Sequence, residues 1–262
     1  MESKMKRMMV FVGVLLMAAL AMQSCKSNDG ESVQPLVVER QECVLKNVKH
    51  PMTGKPYDIG VVVDVPTEGQ QVLVDSIMAY LNKTLYAFFE SGEKEFLPFD
   101  SVCSSDSRQL LRHYQEAYQK FYVNDSTLSG HDFLEVVVAA QTDSYVTYEA
   151  NWSFHGEGVE TSQDWKTSRK SDGQSLEEVV CTENMIRFLE EHPDKRSEDV
   201  WADIQHKMKD SVEIADNYGL LGDSVAHQHC YANGIFETVK YDLKAISPYL
   251  SKETKDLVGG ER

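Results

Sequence analysis

Apolar residues recur along this chain with two different periods, and the alternation between them lays out the fold. Residues 36–48 (LVVERQECVLKNV) and 57–65 (YDIGVVVDV) read as strands, with His50 to Pro56 a Pro- and Gly-punctuated turn between them. From residue 70 the period changes. Leu73, Ile77, Tyr80, Leu81, Leu85 and Phe88 fall at helical spacing, which predicts an amphipathic helix over 70–90, ended by Gly92. A second helix is expected over 107–122, capped by Asp106 with Gln109 and carrying Leu110, Leu111, Tyr114, Tyr118 and Phe121. Its aromatic stripe follows the 3.6 period and reads as core rather than as a sugar-stacking platform.

Strand signals then return, and the rest of the chain is arranged around them. Residues 134–141 are apolar and β-branched. Residues 144–154 alternate, with Tyr145, Thr147, Glu149 and Asn151 on one face and Val146, Tyr148, Ala150 and Trp152 on the other. His155 to Gly158 is a loop or bulge, 159–170 a returning strand, and Asp172-Gly173 a turn. Ser175 with Glu178 has the form of a capping box, which predicts a helical turn directly after it. Helices are expected over 183–191, stopped by Pro193, and over 197–209. Residues 224–241 read as two strands joined at Asn233-Gly234, and Ser247 opens a short terminal helix. The fold class this implies is α+β, an antiparallel sheet covered by helices, in one domain over 36–258.

The N-terminus reads as a sorting signal. Lys4, Lys6 and Arg7 precede an unbroken apolar run at 8–22 that is too short for a comfortable membrane span and has signal-peptide flanks. The ending Met22-Gln23-Ser24-Cys25 resembles a bacterial lipobox, which makes 1–24 a lipoprotein signal peptide and Cys25 the lipidated residue. A plain secretory signal or an uncleaved anchor is the alternative. Residues 25–35 are polar and acidic, the composition of a flexible tether. The expected address is the bacterial cell envelope, with the membrane reached through lipid.

Charge narrows the partners. The chain carries 42 acidic and 26 basic residues; without 1–24 it keeps 41 and 23, a net charge of −18. That balance excludes nucleic acid and electrostatic binding to anionic lipid, and permits a basic protein partner. Cys43, Cys103, Cys181 and Cys230 remain after Cys25, too widely spaced for a dense disulfide framework. Free thiols fit them as well as bridges do.

The order of elements resembles the extracytoplasmic domain shared by the anti-sigma factor RsiV and the N-terminal part of the peptidoglycan deacetylase PdaC. Phe154-His155-Gly156-Glu157-Gly158 stands for that family's Gly/His loop, and Ser171-Asp172-Gly173-Gln174 for its turn. Residues 175–180 stand for its helical turn. Cys230-Tyr231-Ala232-Asn233-Gly234 stands for its Tyr-x-x-Gly stretch, and residues 244–250 for its finish. The resemblance implies a binding module rather than an activity: RsiV-like proteins bind lysozyme through this domain, and PdaC-like enzymes keep their chemistry in a separate domain. With few residues before the apolar run and an end at 262, neither extra part is expected here. Trp152, His155, Glu157 and Tyr231 are the candidate ligand contacts.

Candidate chemistry is sparse. His227 and His229 fall on one face of a strand, as two ligands of a zinc or copper site would, with His155 or Glu157 as a third. Glu157 with Glu160, or Glu149 with Asp164, supplies a carboxylate pair of the kind glycosidases use. His113 and His206 occupy exposed-looking helical positions and suggest no chemistry. A Gly-x-Ser-x-Gly elbow and a Gly-rich phosphate loop are absent, and nothing requires a cofactor. The leading expectation is a non-enzymatic envelope lipoprotein holding a protein or cell-wall glycan ligand. A metal-assisted hydrolase on cell-wall or dietary glycan and a lysozyme-binding defence protein are the alternatives.

Overall fold

A computed structural model describes residues 34–49, 54–91, 130–155, 159–193, 218–230 and 236–259, with position 112 between them. The expected signal segment at 1–24, Cys25 and most of the expected tether lie outside the described residues, as do Gly92, most of the expected helix at 107–122, the expected helix at 197–209, Cys103, His113, His206 and the expected turn at 233–234.

Five strands form the larger sheet: β1 (Val37–Lys49), β2 (Pro56–Glu68), β3 (Gly130–Gln141), β4 (Tyr145–His155) and β5 (Val159–Arg169), side by side in that order. All neighbours are antiparallel except β2 and β3, which are parallel. The connection between those two contains α1 (Gln71–Ser91), the kind of crossover a parallel pair requires. Helix α1 buries Leu73, Ile77, Leu81, Leu85 and Phe88 on Val61, Val63, Val65, Leu134, Val136, Val146, Tyr148 and Ala150. The helical period of one element thus meets the two-residue period of three strands, and this forms the first core.

The hairpin expected at 224–241 does not extend that sheet. Its residues form β7 (Ser224–Cys230) and β8 (Phe236–Asp242), which with the three-residue β6 (Tyr218–Leu220) make a separate sheet ordered β6-β7-β8. This small sheet lies against β4 and β5 on the face opposite α1. Thr147 Oγ1 donates to the Leu220 carbonyl at 2.6 Å and shares a 2.9 Å hydrogen bond with Thr167. Because β4 is covered on both faces, Tyr145, Val146, Thr147 and Tyr148 are all buried, whichever way alternation points them.

The two sheets touch most closely where the Trp165 indole lies on Gly219. A Cβ at 219 would stand 2.5 Å from Trp165 Cδ1. Gly219→Ala is therefore expected to cost about 1–3 kcal/mol of unfolding free energy by overpacking, read from the urea midpoint.

The Ser171–Gln174 turn forms as expected: Gly173 N–H donates to the Arg169 carbonyl, and Asp172 accepts from Gln174 N–H. The helical turn expected at 175–180 does not. Ser175 bridges to Ser168, Leu176 N–H donates to the Thr167 carbonyl, and Val180 bridges to Leu250. Val179 and Val180 are β-branched and buried, so extended backbone with sheet-like partners outweighs the local capping pattern. Helix α2 (Thr182–Glu191) starts only after Cys181, which holds its N-cap position.

The terminal segment forms α3 (Leu243–Ile246), a 3-10 turn over Ser247–Tyr249, and α4 (Lys252–Gly259). Asp242 caps α3 by accepting from the Lys244 and Ala245 N–H groups. Together with α2 and the small sheet these build a second core from Met185, Phe188, Leu189, Leu220, Val225, Tyr241, Ile246 and Leu250. The fold is α+β, as the patterning implied, but the described residues form two sheets and two cores.

Candidate functional site

The small sheet is aligned on β5 by its contacts. At one end Thr147 and Thr167 meet Leu220, which pairs with Val225. Further along, Ser162 Oγ donates to Gln228 Oε1 at 3.4 Å, and Thr238 Oγ1 donates to Gln163 Oε1. Strands β5 and β7 therefore run in opposite directions, and positions 155, 159, 230 and 236 come to the same end of the stack. The candidate contacts His155, Glu157 and Tyr231 belong to these two hairpins. Glu157 and Tyr231 lie outside the described residues, and only the backbone of His155, Glu160 and His229 is described.

Trp152 goes elsewhere. Its ring lies 5.8 Å from Phe88 and packs on the first core, on the α1 face of β4. Position 155 has the opposite parity along the same regular strand. Trp152 thus has a packing role and does not share a face with position 155.

His227 is buried at 2% exposure and stacks on Tyr218 with ring centroids 4.4 Å apart. Gln228 and Thr238 point toward β5, so His227 points the other way, with Val225, into the second core. His227 therefore packs as a core side chain. No group of three ligating side chains occurs among the described residues.

The Glu149–Asp164 carboxylate pair is overturned by register. Glu149 pairs with Trp165, and Asp164 with Ala150, so the sheet stands between the two carboxyls. Glu149 instead accepts from Gln163 Nε2 at 2.9 Å, continuing the polar chain from Thr238 between the sheets. Cys43 and Cys181 are free thiols, both half-buried, and burial pushes the Cys43 thiol up to about 11. A thiol so far from ionising is a poor nucleophile.

The structure adds a site the sequence reading passed over. Asp64, in the middle of β2 and 5% exposed, takes Arg40 Nε at 2.9 Å and Arg40 Nη2 at 3.2 Å. It also accepts from the Val138 N–H at 3.0 Å, tying β1, β2 and β3 together. A lone carboxylate inside the apolar run Val61-Val62-Val63-Asp64-Val65 was the available signal, since such a group is buried only with partners.

On the α1 face, Asp164 keeps solvent contact, yet the protein around it desolvates the carboxyl and raises its pKa; Lys166 and Lys83 act in the opposite direction. A carboxyl with a higher pKa folded than unfolded binds more protons when folded. It favours the fold below its unfolded pKa of about 3.9, and this is lost as pH rises through the folded value. Asp164→Asn is accordingly expected to raise the urea midpoint at neutral pH and to leave it nearly unchanged at about pH 3.

No protein-family model matches the chain, and no curated protein does. Among solved structures it is similar to a DUF3298 family member from Bacteroides fragilis, at 13% identity and a TM-score of 0.45. That match covers 83% of this chain and 95% of the other. It is also similar to a DUF3298 family protein from Pseudomonas aeruginosa PAO1, at 11% identity and a TM-score of 0.46, covering 84% and 97%. The neighbours are thus members of a bacterial domain family of unknown function.

Proposed function

We propose that this chain is a lipid-anchored envelope protein whose α+β module, RsiV/PdaC-like in its order of elements, holds a protein or cell-wall glycan ligand without transforming it. The observation that carries the reading is the convergence of the two hairpin ends. Contacts along β5 bring positions 155, 159, 230 and 236 to one end of the stack, and His155, Glu157 and Tyr231 belong to those hairpins. A carboxylate, an imidazole and a phenol suit the hydroxyls and amides of glycan or protein surfaces. The acidic balance of the chain supports a basic protein, and lysozyme is the first to test.

Two measurements address the two halves of the proposal. Palmitate labelling of the expressed chain is expected to disappear in Cys25→Ser, and label that persists removes the anchor. Titration of the detergent-solubilised full chain with lysozyme, at about 0.15 M and then roughly 0.5 M salt, separates a specific interface from charge attraction. Binding that survives the higher salt supports lysozyme as ligand, and binding that vanishes there removes it.

A further inference from the structure

The two ends of the larger sheet differ, and the chain enters at one of them. Register places Val37, Glu68, Gln141, Tyr145 and Arg169 at the end where β1 begins, and Gly130, His155 and Val159 at the other. Strand β4, with 11 residues, separates the two ends by about 35 Å. The hairpin-end positions 155 and 159 are therefore far from Gln34, the first described residue.

Apolar side chains collect where the chain enters. Val37 pairs with Glu68, and the next residue, Gly69, lies between Leu36 and Val74: a Cβ there would stand 3.1 Å from Leu36 Cδ1 and 3.4 Å from Val74 Cγ2. One at Gly173 would stand 2.5 Å from the Val72 carbonyl oxygen, so the Ser171–Gln174 turn meets the start of α1 at this same end. Among the described residues the exposed large apolar side chains are Val37, at 38%, and Val72, at 49%. An exposed valine alone is ordinary. Here both fall at the end next to the expected tether. The charges beside them are acidic: Glu68 and Asp143 are exposed, and Arg169 is held by Asp172 and Glu253.

We propose that this end of the domain rests on the bilayer that holds the lipid of Cys25, with Val37 and Val72 entering the interfacial zone and the hairpin ends facing away. This orientation rests on the lipid anchor proposed above and adds the surface that meets the membrane. Residues 25–33 reach about 30 Å at full extension, less than the length of the sheet, so the lipid stays near this end. At that range a shallow apolar contact suffices, because the tether supplies a high effective concentration. Zwitterionic lipid is the surface that fits. Its outermost ammonium groups meet Glu68 and Asp143, whereas an anionic headgroup meets like charge.

The test is tryptophan quenching by brominated phosphatidylcholine, with the lipidated full chain in vesicles of phosphatidylcholine and phosphatidylethanolamine. Val72→Trp adds a reporter at this end, and Thr161→Trp an exposed one near the hairpin end. One residue type at both positions cancels tryptophan's own preference for the interface. After subtraction of the unaltered chain, quenching at 72 is expected to exceed that at 161 about fivefold. Adding Val37→Asp is expected to reduce it about threefold, and replacing about one third of the lipid by phosphatidylglycerol about twofold. Equal quenching at 72 and 161, in a chain that floats with the vesicles, overturns the orientation and leaves the anchor standing. A chain that does not float overturns the anchor and the orientation with it. Quenching at 72 that rises with phosphatidylglycerol overturns the zwitterionic surface.

Discussion

Asp64→Ala is expected to lower the unfolding free energy by about 3–5 kcal/mol, one of the two largest effects expected in the molecule. Asp64 accepts three hydrogen bonds, two from Arg40 and one from the Val138 N–H, at 7% side-chain exposure. Removing it leaves the Val138 N–H without an acceptor, worth about 1–3 kcal/mol, and an arginine without its counter-charge. The Arg40 side chain is 32% exposed, so water recovers part of that second loss. The converse change, Arg40→Met, strands the carboxylate, which is the more buried partner. Their coupling is the sharper readout: urea unfolding of the double variant is expected to show a cost below the sum of the single variants by about 1–3 kcal/mol. Strict additivity would show that the ion pair does not hold the three strands together.

Gly60→Ala is the other large effect, expected at about 3–5 kcal/mol from backbone strain and overpacking combined. Gly60 sits in β2 with φ of +142°, and a Cβ there would stand 2.8 Å from the Val44 Cα and closer still to the Cys43 carbonyl. Backbone, unlike the far end of a flexible side chain, cannot step aside. Either β1 separates from β2 near the Val44–Gly60 pair or β2 gives up its local twist. Amide hydrogen exchange is expected to show lost protection in β1 around that pair, with α1 unaffected. Uniform loss across the sheet would mean instead that β1 is not separable from the rest.

Much of this architecture was legible in the residues. The alternation of β4 was correct to the residue, and the spacing of Leu73, Ile77, Leu81 and Leu85 gave the buried stripe of α1. Three features were not legible, each for a physical reason. Strand β6 is three residues long and exists only because Tyr218 and Leu220 pair with His227 and Val225. The division into two sheets depends on which face of β4 each later strand covers, and alternation cannot say that when both faces are covered. The box at Ser175 and Glu178 had the local form of a helix start, but pairing of Ser175 with Ser168 and burial of Val179 and Val180 prevailed.

The candidate site divides along the same line. That positions 227 and 229 share parity follows from strand periodicity; that His227 turns into the second core follows only from Gln228 and Thr238 meeting β5. Glu149 and Asp164 looked able to pair until the register of β4 on β5 fixed their opposite parity. Trp152 carried the same ambiguity, and Phe88 resolved it.

The most direct measurement of the central claim is co-sedimentation of the detergent-solubilised full chain with purified peptidoglycan, together with lysozyme capture, followed by analysis of the polymer for new reducing ends or released acetate. Retention of one ligand is expected, with the polymer unchanged and retention reduced about tenfold in Glu157→Ala/Tyr231→Ala. Release of either product by the chain, or retention indifferent to that double variant, would contradict it.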